Sequence, residues 1–286
     1  MKRFPILGVL LLIPALLLVG LVGCTSSKDK DKDKDKTTVV TGGEKTGGKK
    51  TKETITTALD ATVTGTVKFK GKAPEMKPID ALLKHTDYKA VCSKGETTDQ
   101  TWHVGADGAV ANVIIILGPP ADKKFDTSDK VKELSKLTRV IDQPFCQYMP
   151  HVVGLYQDAQ TVMAKNSSTV SHNVKITNGG AADRDVNLSP SKDTGEIKFS
   201  ELNNETLVNA GCSIHTFMQA KIAVFNHPYF GVTDDKGKFE IKNVPIDTEL
   251  TVYMWHESMG GLKSKVEQKK MTFKKGDNSL GELEIK

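Results

Sequence analysis

Two short segments of this chain carry side chains that could bind a metal ion together. Val170-Ser-His172-Asn173-Val174 offers one imidazole on a strand-like run. Further along, Gly211-Cys212-Ser-Ile-His215-Thr-Phe-Met218 brings a thiol, a second imidazole and a thioether close together. A thiolate with two imidazoles, and a weakly bonding second sulfur in reach, is the ligand set that suits copper in a trigonal electron-transfer site. Such a site must hold both copper oxidation states in nearly one geometry. Two nitrogens and a thiolate in a plane do this, and a long axial thioether tunes the potential.

The flanking sequence must then position the donors. Glu205–Ala210 reads as an apolar strand ending at Cys212. His215 lies in the turn beyond it, and Met218 leads back into a strand, Gln219–Phe225. His172 opens the run His172–Thr177. In this arrangement Cys212 supplies a covalent path to the metal, and His172 with Asn173 fixes the other side. His215, in a loop, is expected at the exposed edge through which an electron would pass. The competing interpretation is a buried free cysteine beside two surface histidines, with Met218 a packed core methionine.

The rest of the chain favours an all-β body. Among its 286 residues, 40 are Lys or Arg and 35 are Asp or Glu, a net charge of +5. No basic stripe is interleaved with aromatics, so no nucleic-acid partner is expected. Ala61–Lys70 alternates, with Val63, Val67 and Phe69 facing one way. Ala111–Leu117 is a dense apolar run that fits a central strand, stopped by Gly118-Pro-Pro120. Short strand signals follow at Thr138–Ile141, His151–Leu155, Gln160–Lys165, His172–Thr177, Glu196–Ser200, Glu205–Ala210 and Lys221–Phe225. Further ones lie at Lys238–Lys242, Glu249–Trp255, Lys265–Lys270 and Leu283–Lys286. Asn178-Gly-Gly180, Ser189-Pro190 and Val232–Gly237 supply turn chemistry between strands. Ile79–Lys84 reads as a helical turn, and Ser128–Leu137 as a short helix capped by Ser128. Short strands at this spacing read as a sandwich.

The first residues read as an address. Lys2 and Arg3 precede an apolar stretch, Ile6–Val22, that ends in Leu21-Val22-Gly23-Cys24. The form is that of a secretory signal, residues 1–23, and its ending resembles the bacterial lipobox. That resemblance implies cleavage before Cys24, acylation of its thiol and a membrane-held, extracytoplasmic protein, in the periplasm or at the cell surface. Residues 24–58, with a strict Lys-Asp alternation from Lys28 to Lys36, have no structural period and read as a disordered tether, its ends roughly 30–35 Å apart. With Cys24 lipidated, three cysteines remain. Outside the cytoplasm thiols tend to pair, so Cys92 is expected to bond to Cys146, leaving Cys212 free to ligate.

The Asn166…His172-Asn173 segment and the Cys212-x₂-His215-x₂-Met218 loop resemble the cupredoxins, the plastocyanin-like blue-copper proteins. More closely, Cys146–Glu257 resembles bacterial exported cupredoxin-like proteins, some of them labelled methylamine-utilisation or plastocyanin-like. The residues that carry this are Cys146-Gln-Tyr-Met-Pro-His151, His172-Asn173, Cys212-Ser-Ile-His215, His227-Pro-Tyr-Phe230, Val232–Ile241 and Trp255-His256-Glu257. The resemblance implies a Greek-key β-sandwich, a copper ion, electron transfer to a protein partner, equatorial ligands His172, Cys212 and His215, and Met218 as axial ligand. One departure is that Met218 follows His215 more closely than in many cupredoxins. Phe230–His256 also resembles prealbumin-like, carboxypeptidase regulatory-like modules. The body, 59–286, would then comprise a cupredoxin-like core at about 138–226 and a flanking β module of 59–120 with 227–286.

Other chemistries find less support. No Gly-x-Ser-x-Gly elbow, His-Glu-x-x-His helix or phosphate-cradling loop occurs, so the chain is not expected to be an enzyme. Asp234-Asp235 sits in a turn. Cys146 with His151 could hold a second metal, although a disulfide is the simpler fate of Cys146. His227 and His256 are expected to be structural, held by backbone carbonyls. Two alternatives to electron transfer remain open: copper storage or delivery, and a metal-free sandwich that binds a partner at the cell surface.

Overall fold

The computed structural model describes residues 51–84, 89–178, 184–189, 193–197 and 205–286. The expected signal segment, Cys24 and the tether up to residue 50 lie outside the described residues, as do Gly179-Gly180 and the end of the expected strand Glu196–Ser200. The described residues form an all-β sandwich protein. In chain order the elements are β1 Glu53–Thr54, β2 Ala61–Phe69, α1 Asp80–Lys84, α2 Lys89–Cys92, β3 Ile114–Gly118, β4 Lys123–Lys124, α3 Asp129–Ser135, β5 Leu137–Asp142, β6 Val152–Tyr156, β7 Gln160–Asn166 and β8 His172–Thr177. They continue as β9 Arg184–Leu188, β10 Asp193–Ile197, β11 Thr206–Gly211, β12 Gln219–Phe225, β13 Phe230–Val232, β14 Lys238–Val244, β15 Glu249–Trp255, β16 Val266–Thr272 and β17 Gly276–Ile285.

Beside a two-stranded parallel pair of β1 and β4, four larger sheets stack face to face. Their strand orders are β14-β2-β17, β13-β3-β15-β16, β6-β12-β11-β8-β9 and β10-β7-β5. Three apolar layers separate them, and the period-two alternation of the strands assigns each side chain to a layer. Ile115 and Leu117 of β3 meet Val63, Val67, Val252 and Phe239 in the first layer. Ile114 and Ile116, on the other face of β3, meet Val152, Tyr156, Ala223, Phe225 and Trp255 in the second. Val153 and Leu155 of β6 and Ile222 and Val224 of β12 turn to the third, with Ile141, Val162 and Val174. Both faces of β3 and β6 are therefore buried, which is why these strands are continuous apolar runs, whereas β2 alternates.

The two sheets on the first layer draw their strands from both ends of the chain: β2 pairs in parallel with β17, and β3 pairs with β13 and β15. The segment between β2 and β3 crosses over instead. Leu82 of α1 and Cys92 of α2 are buried in the third layer, and Cys92 is bonded to Cys146 there. The turn expected at Val232–Gly237 is present. The Asp234 carboxylate accepts the N–H groups of Lys236 and Lys238 at 2.9 and 2.8 Å, and Gly237 takes a φ of 68°, open to glycine at little cost. Five elements give no clear sequence signal: β1 and β4, two residues each, with β1 and the buried Ile55 inside the stretch read as a tether; β9, whose run Arg-Asp-Val-Asn-Leu is mostly polar; β13, only three residues long; and the single turn of α2.

Two contacts hold the inner sheets together. Gly154 in β6 faces Phe230, where an added Cβ would stand 2.5 Å from the ring, and Phe225 stacks on that ring at 4.5 Å. At the edge, the Glu205 carboxylate is paired with Lys265 and with the His227 Nε2, the latter at 3.5 Å. His227 Nδ1 accepts the Tyr229 N–H at 3.1 Å, so the ring proton sits on Nε2 and points at the carboxylate.

Gly154→Ala is expected to destabilise the fold by about 1–3 kcal/mol, the usual range for overpacking, read as a lower midpoint in urea unfolding. Burial alone would raise the Glu205 pKa, but hydrogen bonds from His227 and Lys265 outweigh it and hold the group at about 2 against an ordinary 4.5. A depressed carboxylate stabilises the fold fully above its unfolded pKa and loses that contribution as pH falls through the folded one. Glu205→Gln should therefore flatten the loss of stability between pH 4.5 and about 2, measured as unfolding midpoint against pH.

Candidate metal centre

β11 runs antiparallel to β8 with Gly211 opposite Lys175 and Ala210 opposite Ile176. Continued by one residue, that register sets Cys212 across from Val174. His172 lies two residues along β8 on the same face, the diagonal position from which long side chains meet across a pair. The alternation that buries Val174 and Ile176 buries His172 with them.

Beyond Cys212 the chain turns tightly and returns as β12. The Cys212 N–H donates to the Met218 carbonyl at 3.3 Å, and the Met218 N–H to the His215 carbonyl at 2.9 Å. The His215 N–H points at Cys212 Sγ, 3.3 Å away. The turn thus swings the His215 ring over Cys212, with Nδ1 at 3.9 Å from Sγ.

The His172 and His215 Nδ1 atoms are 3.2 Å apart, and the ligand atoms of His172, Cys212 and His215 all lie within 4.8 Å of one another. Bonds of about 2.0–2.1 Å from nitrogen and about 2.3 Å from sulfur can meet at one centre when nitrogens are closer than ~4.2 Å and nitrogen and sulfur closer than ~4.4 Å. The His172–His215 and His215–Cys212 distances, 3.2 and 3.9 Å, pass this test, and the His172–Cys212 pair lies within 4.8 Å. All three donors are shut off from water, at 1%, 4% and 1% exposure for His172, Cys212 and His215. Burial, helped by the neighbouring His215 ring, lowers the His172 pKa to about 4. The ring is therefore neutral at ordinary pH and has a lone pair to donate.

A hydrogen-bond frame holds the donors. Asn173 Oδ1 accepts the Ser213 N–H at 2.6 Å, and its Nδ2 donates to Asp185, so the residue beside one candidate ligand clamps the residue beside another. The Ser213 hydroxyl reaches the other Asp185 oxygen at 3.2 Å. The Tyr148 hydroxyl sits between the carbonyls of Asn173 and Gly211, at 2.9 and 2.7 Å, and Gln143 Nε2 donates to the same Asn173 carbonyl at 3.1 Å. Burial and the nearby Cys212 sulfur push the Tyr148 pKa upward, which keeps the hydroxyl a donor. Before β8, Asn166 Nδ2 reaches the carbonyls of Val170 and Leu188, at 2.9 and 3.1 Å.

One expectation is corrected here. His215 is not an exposed edge. The Phe217 ring stands against it at 5.9 Å, and the sulfurs of the Cys92–Cys146 disulfide lie within 4.8 Å of one of its ring nitrogens. The segment that crosses from β2 caps this end of the sandwich, which a reading of the loop alone could not reveal. Met218 closes the turn through its backbone and is buried at 2% exposure in the third apolar layer.

The remaining histidines are engaged elsewhere. His151 Nε2 is 2.6 Å from Glu257, which also pairs with Lys221 at 3.1 Å. Cys146 is in the disulfide, so the two do not form a second metal site together. His256 accepts the Ser258 N–H at 3.2 Å and stacks on Trp102 at 3.8 Å. His227 is thus tied to a backbone N–H and a carboxylate, not to the carbonyl expected, whereas the Thr101 backbone accepts from His256, as expected. Sequence reasoning did not single out Tyr148, Gln143 or Asp185; only Tyr148 carried a signal, inside Cys146-Gln-Tyr-Met-Pro-His151.

No protein-family model matches this chain, and no curated protein matches it. The solved structures it is similar to include cupredoxins. A Cu(I) form of an amicyanin variant is 20% identical, with 30% of this chain and 81% of that one covered and a TM-score of 0.25. A purple cupredoxin from Nitrosopumilus maritimus is 22% identical, with 30% and 98% covered and a TM-score of 0.24. An oxidised form of another amicyanin variant is 18% identical, with 38% and 97% covered and a TM-score of 0.27.

Asn173→Ala would remove the acceptor of the Ser213 N–H and release Asp185. The expected cost is about 0.5–1.5 kcal/mol, the usual net worth of one hydrogen bond, seen as a lower chemical-denaturation midpoint with β-sheet circular dichroism retained.

Proposed function

We propose that this chain is a copper-binding electron-transfer protein, with the metal held by His172, Cys212 and His215 and with Met218 as a fourth, weaker ligand. The observation that carries this reading is the convergence of one sulfur and two Nδ1 atoms, at 3.9 and 3.2 Å, among buried side chains. Copper held there would supply a one-electron couple.

The chain's own part is to keep the donors still. Reorganisation between oxidation states is small when ligands cannot move, and here each is braced. His172 is in a paired strand, Cys212 is tied to Met218, and His215 lies between Phe217 and a disulfide. Exclusion of water removes a competing ligand. Because His215 is covered, Phe217 is the proposed edge toward a redox partner protein: its ring touches His215 and lines a surface cleft.

The disulfide also supports an oxidising compartment, in keeping with export and lipid attachment at Cys24. The 3.2 Å Nδ1···Nδ1 approach is also hydrogen-bond length, so a metal-free histidine pair is the specific competitor. Adding Cu(II) to the whole chain should give an intense visible thiolate-to-metal absorption at one ion per chain, and Cys212→Ser should abolish it with the fold intact. Stoichiometric Cu(I) binding without that absorption would make the protein a copper store or donor. Failure to bind copper stoichiometrically would leave the histidine pair and sink the proposal.

A further inference from the structure

The disulfide that caps His215 is itself a pair of soft ligands waiting on a reductant. Cys92 Sγ, Cys146 Sγ and a ring nitrogen of His215 all lie within 4.8 Å of one another, as the ligand atoms of His172, Cys212 and His215 also do. His215 therefore stands between a free thiol and a disulfide, and all of these residues are buried. We propose that reduction of the Cys92–Cys146 bond creates a second metal site, two thiolates and His215, that takes a thiophilic ion, Cu(I) first.

Three features of the molecule bear on this. The first is ligand chemistry. Two thiolates and an imidazole form a softer, more negative set than one thiolate and two imidazoles, and soft sulfur donors select Cu(I). Sulfurs released from their bond move to non-bonded separation, roughly 3.6 Å, which remains inside the ~4.6 Å spanned by two metal–sulfur bonds of about 2.3 Å.

The second is that the disulfide is not all that holds these segments together. The Glu96 N–H donates to Gln147 Oε1 at 2.6 Å, bridging the stretch after Cys92 to the residue after Cys146. Leu82 and Tyr148 are buried in the same apolar layer as the two cysteines. After reduction the sulfurs stay on one frame.

The third is access. A cleft of about 380 Å³ is lined by Cys146, together with Lys77, Glu96, Gln147, Phe217 and Met218. A dithiol reductant enters there. Its thiolate attacks Cys146 Sγ and forms a mixed disulfide, while the Cys146–Cys92 bond breaks and its electron pair leaves on Cys92, which takes a proton. The second thiol of the reductant gives up its proton and attacks the mixed disulfide, releasing Cys146 as a thiolate that is then protonated. The dithiol ends as a disulfide, and the protein gains two electrons and two protons. Binding Cu(I) releases the two thiol protons again.

The test uses a whole-chain His172→Ala/Cys212→Ser variant, in which the site proposed above is disabled, so failure there and failure here remain distinguishable. Cu(I) is titrated against a chromophoric chelator, before and after reduction by a phosphine that is then removed under anaerobic conditions. The expected result is one tightly bound Cu(I) per chain only after reduction, with retained β-sheet circular dichroism. Further substitution by Cys92→Ser and Cys146→Ser should abolish it, and His215→Ala should weaken it about tenfold or more. Equal binding before and after reduction would overturn the proposal. So would loss of the folded signal on reduction with copper then bound, since any unfolded chain with two thiols would do the same.

Discussion

A slip of one residue between β8 and β11 would send Cys212 to the face opposite His172 and leave a thiol and an imidazole on different sides of a sheet, since side chains in a strand alternate with a period of two. The register that prevents this has Asn209 opposite Thr177, Ala210 opposite Ile176 and Gly211 opposite Lys175. Buried neighbours enforce it. Val174 and Ile176 on β8, and Val208 and Ala210 on β11, are in the third apolar layer, and a slip would turn one strand's pair out of it. Hydrophobic burial, which acts through area and has no direction of its own, thus becomes directional through the pleat. The side chain of Asn173 then fastens the continuation of β11 to β8 where the ladder ends.

The other sheets matter to the site through what they keep fixed. β6 and β12 are buried on both faces, so neither can shift without disturbing two apolar layers at once. Gly154 lets the β13 side of the neighbouring sheet come close to β6, and Phe230 fills the space that a side chain there would need. A pocket for the proposed copper ion would gain from this. Close-packed interiors are stiff, and donors anchored in them return to the same positions after a change of charge.

What the sequence made legible follows the same physics. Period-two alternation and dense apolar runs marked β2, β3, β8, β12, β14 and β15 because burial dictates those patterns directly. The donors were legible because thiol, imidazole and spacing are chemical facts of the chain. Their surroundings were not. The exposure of His215 was expected from a loop position, yet its cover comes from a segment more than a hundred residues earlier, through Cys92 and Leu82. No local pattern encodes a crossing of that kind. β9 and β13 escaped for another reason: β9 is mostly polar and β13 is three residues long, and both are strands because neighbours offer hydrogen bonds, not because their own residues demand it.

The cover on His215 changes how an electron would cross the protein boundary. An imidazole open to solvent lets a partner approach within contact of a ligand, and it also admits water and small oxidants. A buried one trades that contact for insulation. Here the ring touches Phe217 on one side and a disulfide on another, and both Phe217 and Cys146 line the same cleft. Glu257, Glu96 and Asp99 add negative charge to that cleft, and Lys77 adds a positive one. A partner that carries positive side chains around a small apolar tip would complement it, placing the tip on Phe217 one ring away from His215. On the two proposals above, the opening that would take such a tip is also the one through which a thiol would reach Cys146, so exchange of electrons with a metal and exchange with a disulfide would share one entrance.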